Sequence, residues 1–162
     1  MQLDTNELLS AWITQAERTI ALAQRPSLRV IGIHRGGVWL AEHLHAALGL
    51  DGAIGQLDIG FHRDDYGTHG MQSETRPSQI PFDVEGANIV LVDDVLHTGR
   101  TIRAALNEIF DYGRPARVWL AVLLTRPGRQ LPIQADIVGM HLERDVAVKL
   151  RGPEPLHVEV LP

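Results

Sequence analysis

The chain has 162 residues, 44% of them hydrophobic and 22% charged, with no cysteine and a formal net charge of −5. That length suits one domain able to bury most of what its unfolded form exposes, and the composition excludes a disordered tail, a collagen-like repeat and a disulfide scaffold. The lack of cysteine removes thiol catalysis and Cys-ligated metals. The acidic balance gives nucleic acid no global attraction, so an anionic ligand must be held by local amides, helix N-termini, single arginines or a metal ion. The apolar runs fall short of the roughly 18–20 residues a membrane span needs. The N-terminus lacks the basic start and apolar core of a secretory signal. A soluble, cytoplasmic protein without membrane contact is the expectation.

Residues 4–24 read as an amphipathic helix, with Asp4 and Glu7 at capping-box spacing and Leu8, Leu9, Trp12, Ile13, Ala16 and Ile20 at helical intervals. Pro26 is expected to end it. Residues 28–33 are a short β-branched run fit for a buried strand, and His34-Arg35-Gly36-Gly37 turns the chain. A helix over 38–48 follows, with Val38, Leu40, Ala41, Leu44 and Leu48 on one side, then a strand over 53–61. Residues 62–87 hold little to bury, and an uninterrupted loop of that length is usually functional or disordered. A strand over 88–93 ends in an aspartate, and a helix over 101–112 directs Ile102, Ala105, Leu106, Ile109 and Phe110 inward. A buried strand over 116–124 precedes shorter strand-like runs at 135–139, 145–150 and 156–161. Apolar strands alternating with helices predict an α/β fold around a parallel sheet. Such sheets bind ligands beyond the carboxyl ends of their strands, which points at 34–37, 93–101 and 125–130.

The segment Val90-Leu91-Val92-Asp93-Asp94-Val95-Leu96-His97-Thr98-Gly99-Arg100-Thr101 carries the most chemistry. A buried strand delivers two adjacent carboxylates, and a loop of small hydroxyl residues then opens a helix at its positive end. Backbone amides there, with Thr98 and Thr101, suit a phosphate monoester. Gly99 permits the tight turn. Carboxylates beside a phosphate need another partner: sugar hydroxyls, or a hydrated divalent cation bridging to phosphate oxygens. Together the two halves describe a ribose 5-phosphate. A strand–turn–helix whose Asp and Thr merely cap the helix would look the same. Neither a Walker loop nor a GxGxxG turn is present.

That segment closely resembles the phosphoribosyl-diphosphate (PRPP) binding motif of type I phosphoribosyltransferases. Val30–Leu44, Leu57–Asp65, Gly113–Arg117 and Leu131–Gly139 extend the likeness over nearly the whole chain and narrow it to the PyrR group. These proteins are pyrimidine-operon regulators with uracil phosphoribosyltransferase activity. The resemblance implies one domain over 1–162, a central parallel sheet flanked by helices, a flexible loop at about 62–80 and a small C-terminal hood at about 125–162. It implies transfer of phosphoribose from PRPP to uracil, giving UMP and pyrophosphate, with Mg²⁺ as cofactor. Asp93 and Asp94 would hold the ribose hydroxyls and, through water, the metal. Val95, Leu96, His97, Thr98, Gly99, Arg100 and Thr101 would grip the 5-phosphate. Arg35, Gly36 and Gly37 would hold pyrophosphate, with Arg63 reaching across from the loop. His34 and Arg35 depart from the family's usual residues there, while Gly37 matches. Ile137 or Val138 would pack on the pyrimidine, and a homo-oligomer, dimer or larger, is implied.

His97 stands where hypoxanthine–guanine enzymes carry Asp, which speaks against a purine-salvage transferase. The resemblance also implies messenger RNA as a partner. In the family's basic RNA-facing pattern this chain has Gly128, Gln134 and Met140 where charge is common. Phosphate contacts dominate RNA affinity, so the expectation is catalysis ahead of attenuation control. The opposite reading is an RNA regulator that senses UMP or PRPP with weak catalysis.

Overall fold

The computed structural model describes residues 2–60 and 78–162. Five strands, β1 (Leu28–Ile33), β2 (Gly55–Leu57), β3 (Asn88–Leu96), β4 (Arg117–Thr125) and β5 (Ile137–His141), form a parallel sheet in the order β2-β1-β3-β4-β5. Helices α1 (Thr5–Thr19) and α2 (Gly36–Ala47) cover one face and α3 (Arg100–Tyr112) the other. An antiparallel hairpin, β6 (Val148–Arg151) with β7 (His157–Val160), forms a second, small sheet.

Successive strand residues point to opposite faces. Val30, Val90, Val92, Trp119 and Ala121 therefore meet Trp12 and Ala16 of α1 and Leu40 and Leu44 of α2. Ile31, Ile33, Ile89, Leu91, Leu120 and Val122 meet Ile102, Ala105 and Ile109 of α3. Continuous apolar runs are the signature of strands covered on both faces. Burying such side chains contributes about 1.5–3 kcal/mol each, which fixes the layer order.

Several boundaries move. Asp4 caps α1 through Oδ1, accepting the N–H groups of Asn6 and Glu7 at 3.0 and 3.1 Å. The helix stops at Thr19, because fully buried Ile20 takes extended backbone, and Pro26 sits inside a 3-10 segment, Leu22–Ser27. Strand β2 keeps only three residues, since its partner β1 turns into α2 after Ile33. Strand β3 runs on to Leu96 because β4 pairs with it as far as Leu96↔Thr125. Strand β5 starts at Ile137, because Asp136 is docked on Leu120 from both sides of the peptide: Asp136 N–H donates to Leu120 O and Leu120 N–H to Asp136 Oδ2. Phe110 is 55% exposed, not inward. It lies about 100° round the helix from Ile109, off the Ile102–Ala105–Ile109 stripe.

The C-terminal third divides. Strand β5 extends the main sheet, and only the β6–β7 hairpin stands off it. The hairpin docks by Leu150 and Val158 into the core, by Val158 N–H on Thr5 Oγ1 at 2.9 Å, and by Gly152 against Trp39.

Candidate functional site

The strand order dictates where a crevice opens. From β1 the chain moves outward to β2, and from β3 it moves the other way to β4. In such a sheet the switch point between β1 and β3 is the ligand site. The β1–β3 ladder ends at Gly32↔Val92, whereas the β3–β4 ladder continues past Asp93↔Val122. Asp93 is thus paired with Val122 of β4, and both acids lie past the end of the β1 ladder. The two acids differ. Asp93 is 3% exposed, and its Oδ1 accepts the Asp94 N–H at 2.9 Å. Asp94 is half-buried, and its Oδ1 accepts the Val95 N–H at 2.8 Å.

The turn 34–37 closes over Asp94. A Cβ at Gly36 would lie 2.6 Å from Asp94 Oδ2, and one at Gly37 would lie 2.5 Å from the Val92 carbonyl oxygen. Only glycine lets the first turn of α2 rest on the end of β3. Arg35, exposed, is the N-cap of α2 and supplies no side-chain cap. The peptide between His34 and Arg35 is cis. A cleft of about 310 Å³ beside this turn is lined by His34, Arg35, Val38, Trp39, Gly152 and Pro153.

Across the crevice, Gly99 takes φ +96° as N-cap of α3, again without a side-chain cap. Thr98 and Thr101 are buried, and Thr98 Oγ1 accepts the Arg100 N–H at 3.2 Å. The segment after β4 braces this loop from outside. Arg126 N–H donates to Leu96 O at 2.8 Å, and the Gln130 and Leu131 N–H groups donate to Thr98 O at 2.9 and 3.1 Å. Arg100 Nε reaches Gln130 Oε1 at 3.0 Å.

The helix termini make the electrostatic argument. Helix α1 neutralises its own positive end with Asp4 and Glu7, whereas α2 and α3 have neither a side-chain cap nor an acid in the first turn. Both helices start just past the ends of adjacent parallel strands, β1 and β3, and N–H groups and the helix dipole at such a start favour an anion. Two anion-favouring ends flanking two carboxylates fit a ligand with phosphate at each end and hydroxyls between.

The structure therefore brings Gly36 and Gly37 against Asp93 and Asp94, which lead into the 95–101 loop, whereas Arg35 lines the cleft with Trp39, Gly152 and Pro153. Arg63 lies outside the described residues, with the rest of the expected flexible loop up to residue 77. Ile137 is fully buried in the core, and Val138 is half-buried with its N–H donating to Gln15 Oε1. Both lie on β5, two strand spacings or about 10 Å from β3. Sequence reasoning marked 125–130 by strand-end position but missed Arg126 as an individual, and it missed Asp145. Arg126 Nη2 lies 2.6 Å from Asp145 Oδ1, and this guanidinium holds the Asp145 carboxyl below its ordinary range. No periodicity or motif marks Asp145.

A phosphoribosyl transferase domain model matches residues 3–156. The chain is 54% identical to the bifunctional protein PyrR of Pseudomonas paraeruginosa, over 89% of this chain and 83% of that one. It is 49% identical to that of Nitrosococcus oceani, over 99% and 93%. Among solved structures, a purine phosphoribosyltransferase from Pyrococcus horikoshii superposes with a TM-score of 0.67 at 24% identity, over 89% and 88% of the chains. A hypoxanthine-guanine phosphoribosyltransferase from Bacillus anthracis gives 0.68 at 20% identity, over 88% and 84%. At those identities the purine enzymes share the fold alone.

Proposed function

The chain belongs to the PyrR branch of the phosphoribosyl transferase domain family, and from that premise we propose that it moves phosphoribose from PRPP to uracil, releasing UMP and pyrophosphate, and regulates pyrimidine biosynthesis genes. The observation that carries the catalytic half is the pair of uncapped helix ends flanking Asp93 and Asp94 at the switch point of the sheet.

In this reading residues Val95–Thr101 hold the 5-phosphate by loop amides and the α3 terminus. Arg35 and the amides of Gly36 and Gly37 hold the diphosphate. Asp94, half-buried beside Gly36, accepts ribose hydroxyls, while buried Asp93 fixes the adjacent backbone and adds negative charge near the anomeric carbon. Bond breaking leaves that carbon electron-poor, so positioned anions lower the barrier while the protein mainly orients the two reactants. Loss of diphosphate breaks the C–O bond at the anomeric carbon, attack by the uracil nitrogen forms the C–N bond there, and the ring N–H proton passes to water or to the departing diphosphate. Arg63 remains a candidate for the diphosphate.

Asp93 and Asp94, carboxylates on adjacent residues, would hold a hydrated Mg²⁺. Among the described residues no cluster of three or more His, Asp or Glu would hold it by protein alone. When bound, the ion neutralises the leaving diphosphate. A dimer or larger assembly in the cytoplasm completes the reading; among the described residues no helix is long and apolar enough to cross a membrane.

The regulatory half implies RNA binding. Gly128, Gln134 and Met140 are all exposed, so the missing charge is missing from the surface itself. Labelled uracil incubated with PRPP, Mg²⁺ and the chain should yield labelled UMP; its absence at saturating PRPP contradicts the catalytic assignment.

A further inference from the structure

Where the chain leaves β3, β4 and β5, three segments meet on one carboxylate. Asp145, between β5 and β6, accepts Arg126 Nε and Nη2 on its Oδ1 at 3.1 and 2.6 Å. His97 Nε2 stands 3.5 Å from the same oxygen. His97 is the first residue past β3, and Arg126 the first past β4. Gly128 packs on the same end of the imidazole, since a Cβ there would lie 3.1 Å from His97 Nε2. Next to this junction Thr125 Oγ1 and His141 Nδ1 are hydrogen-bonded at 2.7 Å.

This junction is no core strut. The Asp145 side chain is 55% exposed and that of Arg126 19%. A wet ion pair adds little to stability. Two guanidinium N–H groups on one oxygen instead fix the plane and direction of the fork. Among the described residues the guanidinium has no other polar partner, so Nη1 is left as a donor.

The inference rests on the transferase reading. There the pentose lies between Asp93, Asp94 and the 95–101 loop, and β4 and β5 continue the sheet from that point. The base then enters over their carboxyl ends, where Arg126, His97 and Asp145 meet. We infer that Asp145 is a positioning residue for the nucleobase: it holds Arg126 at the base end of the site, and the held guanidinium donates to a base carbonyl. Uracil presents two carbonyl acceptors, and a cationic fork rewards that pattern over a ring edge of N–H donors.

The test uses Asp145→Asn, an isosteric change at an exposed position. Calorimetric titration of the full chain with UMP and with ribose 5-phosphate separates base from phosphate recognition. Loss of the charge-assisted fork should weaken UMP binding and raise the KM for uracil about tenfold, with ribose 5-phosphate binding and the KM for PRPP changed less than about twofold. Asp145→Glu should recover part of the loss, and the melting temperature of both variants should match the parent. Parallel weakening of both ligands, or no change in either, overturns the inference. A parent chain that binds ribose 5-phosphate but not UMP overturns it while sparing the phosphate-loop reading. A parent chain that binds neither overturns both.

Discussion

Asp93 and Asp94 are neighbours in sequence with different surroundings, and the difference predicts different failures. Asp94 is half-buried and borders Gly36, so Asp94→Asn leaves packing intact. Turnover should fall about a hundredfold with an unchanged melting curve, because the variant loses charge aimed at a developing cation. Unchanged turnover would remove Asp94 from the mechanism. Gly36 tests the same place from the other side. A methyl group 2.6 Å from Asp94 Oδ2 must displace the carboxylate or the turn. Gly36→Ala should therefore raise the KM for PRPP about tenfold, the order of an overpacking cost of about 1–3 kcal/mol, while the KM for uracil moves little. The acid pair and the phosphate loop were legible in the sequence because their residue types are needed at fixed spacing. Asp145 was not, because a carboxylate that meets Arg126 across 19 positions leaves no local pattern.

Helices and strands were legible where one period dominates. The β-branched run 28–33 and the apolar run 88–92 became β1 and β3, and Leu40, Ala41 and Leu44 became the buried side of α2. The misread places are those where tertiary packing overrode the local pattern: buried Ile20 ended α1 early, and the extent of pairing to β4 lengthened β3. Helix α3 shows the limit of periodicity, since Phe110 looks apolar enough for the core yet lies off the stripe. Urea unfolding separates the two positions. Ile109→Ala should cost about 2–5 kcal/mol, because Ile109 is fully buried. Phe110→Ser should stay within about 0.5 kcal/mol. Equal losses would mean that Phe110 is covered in solution.

At the scale of the whole molecule, one sheet places both helix termini and both acids at a single crevice, and the family adds gene regulation to the transfer reaction. A net charge of −5 and uncharged residues at 128, 134 and 140 leave few contacts for RNA phosphates. Filter binding of a pyrimidine-operon leader at two salt concentrations should therefore show binding with a shallow salt slope, and no binding at either concentration would contradict the regulatory half. The central claim is that this crevice joins uracil to phosphoribose. It is tested most directly by PRPP consumption with uracil, hypoxanthine, guanine and orotate offered in competition. The account predicts UMP as the nucleotide formed, with loss of product in Asp94→Asn; inosine or guanosine monophosphate as the main product, or undiminished UMP formation in that variant, would contradict it.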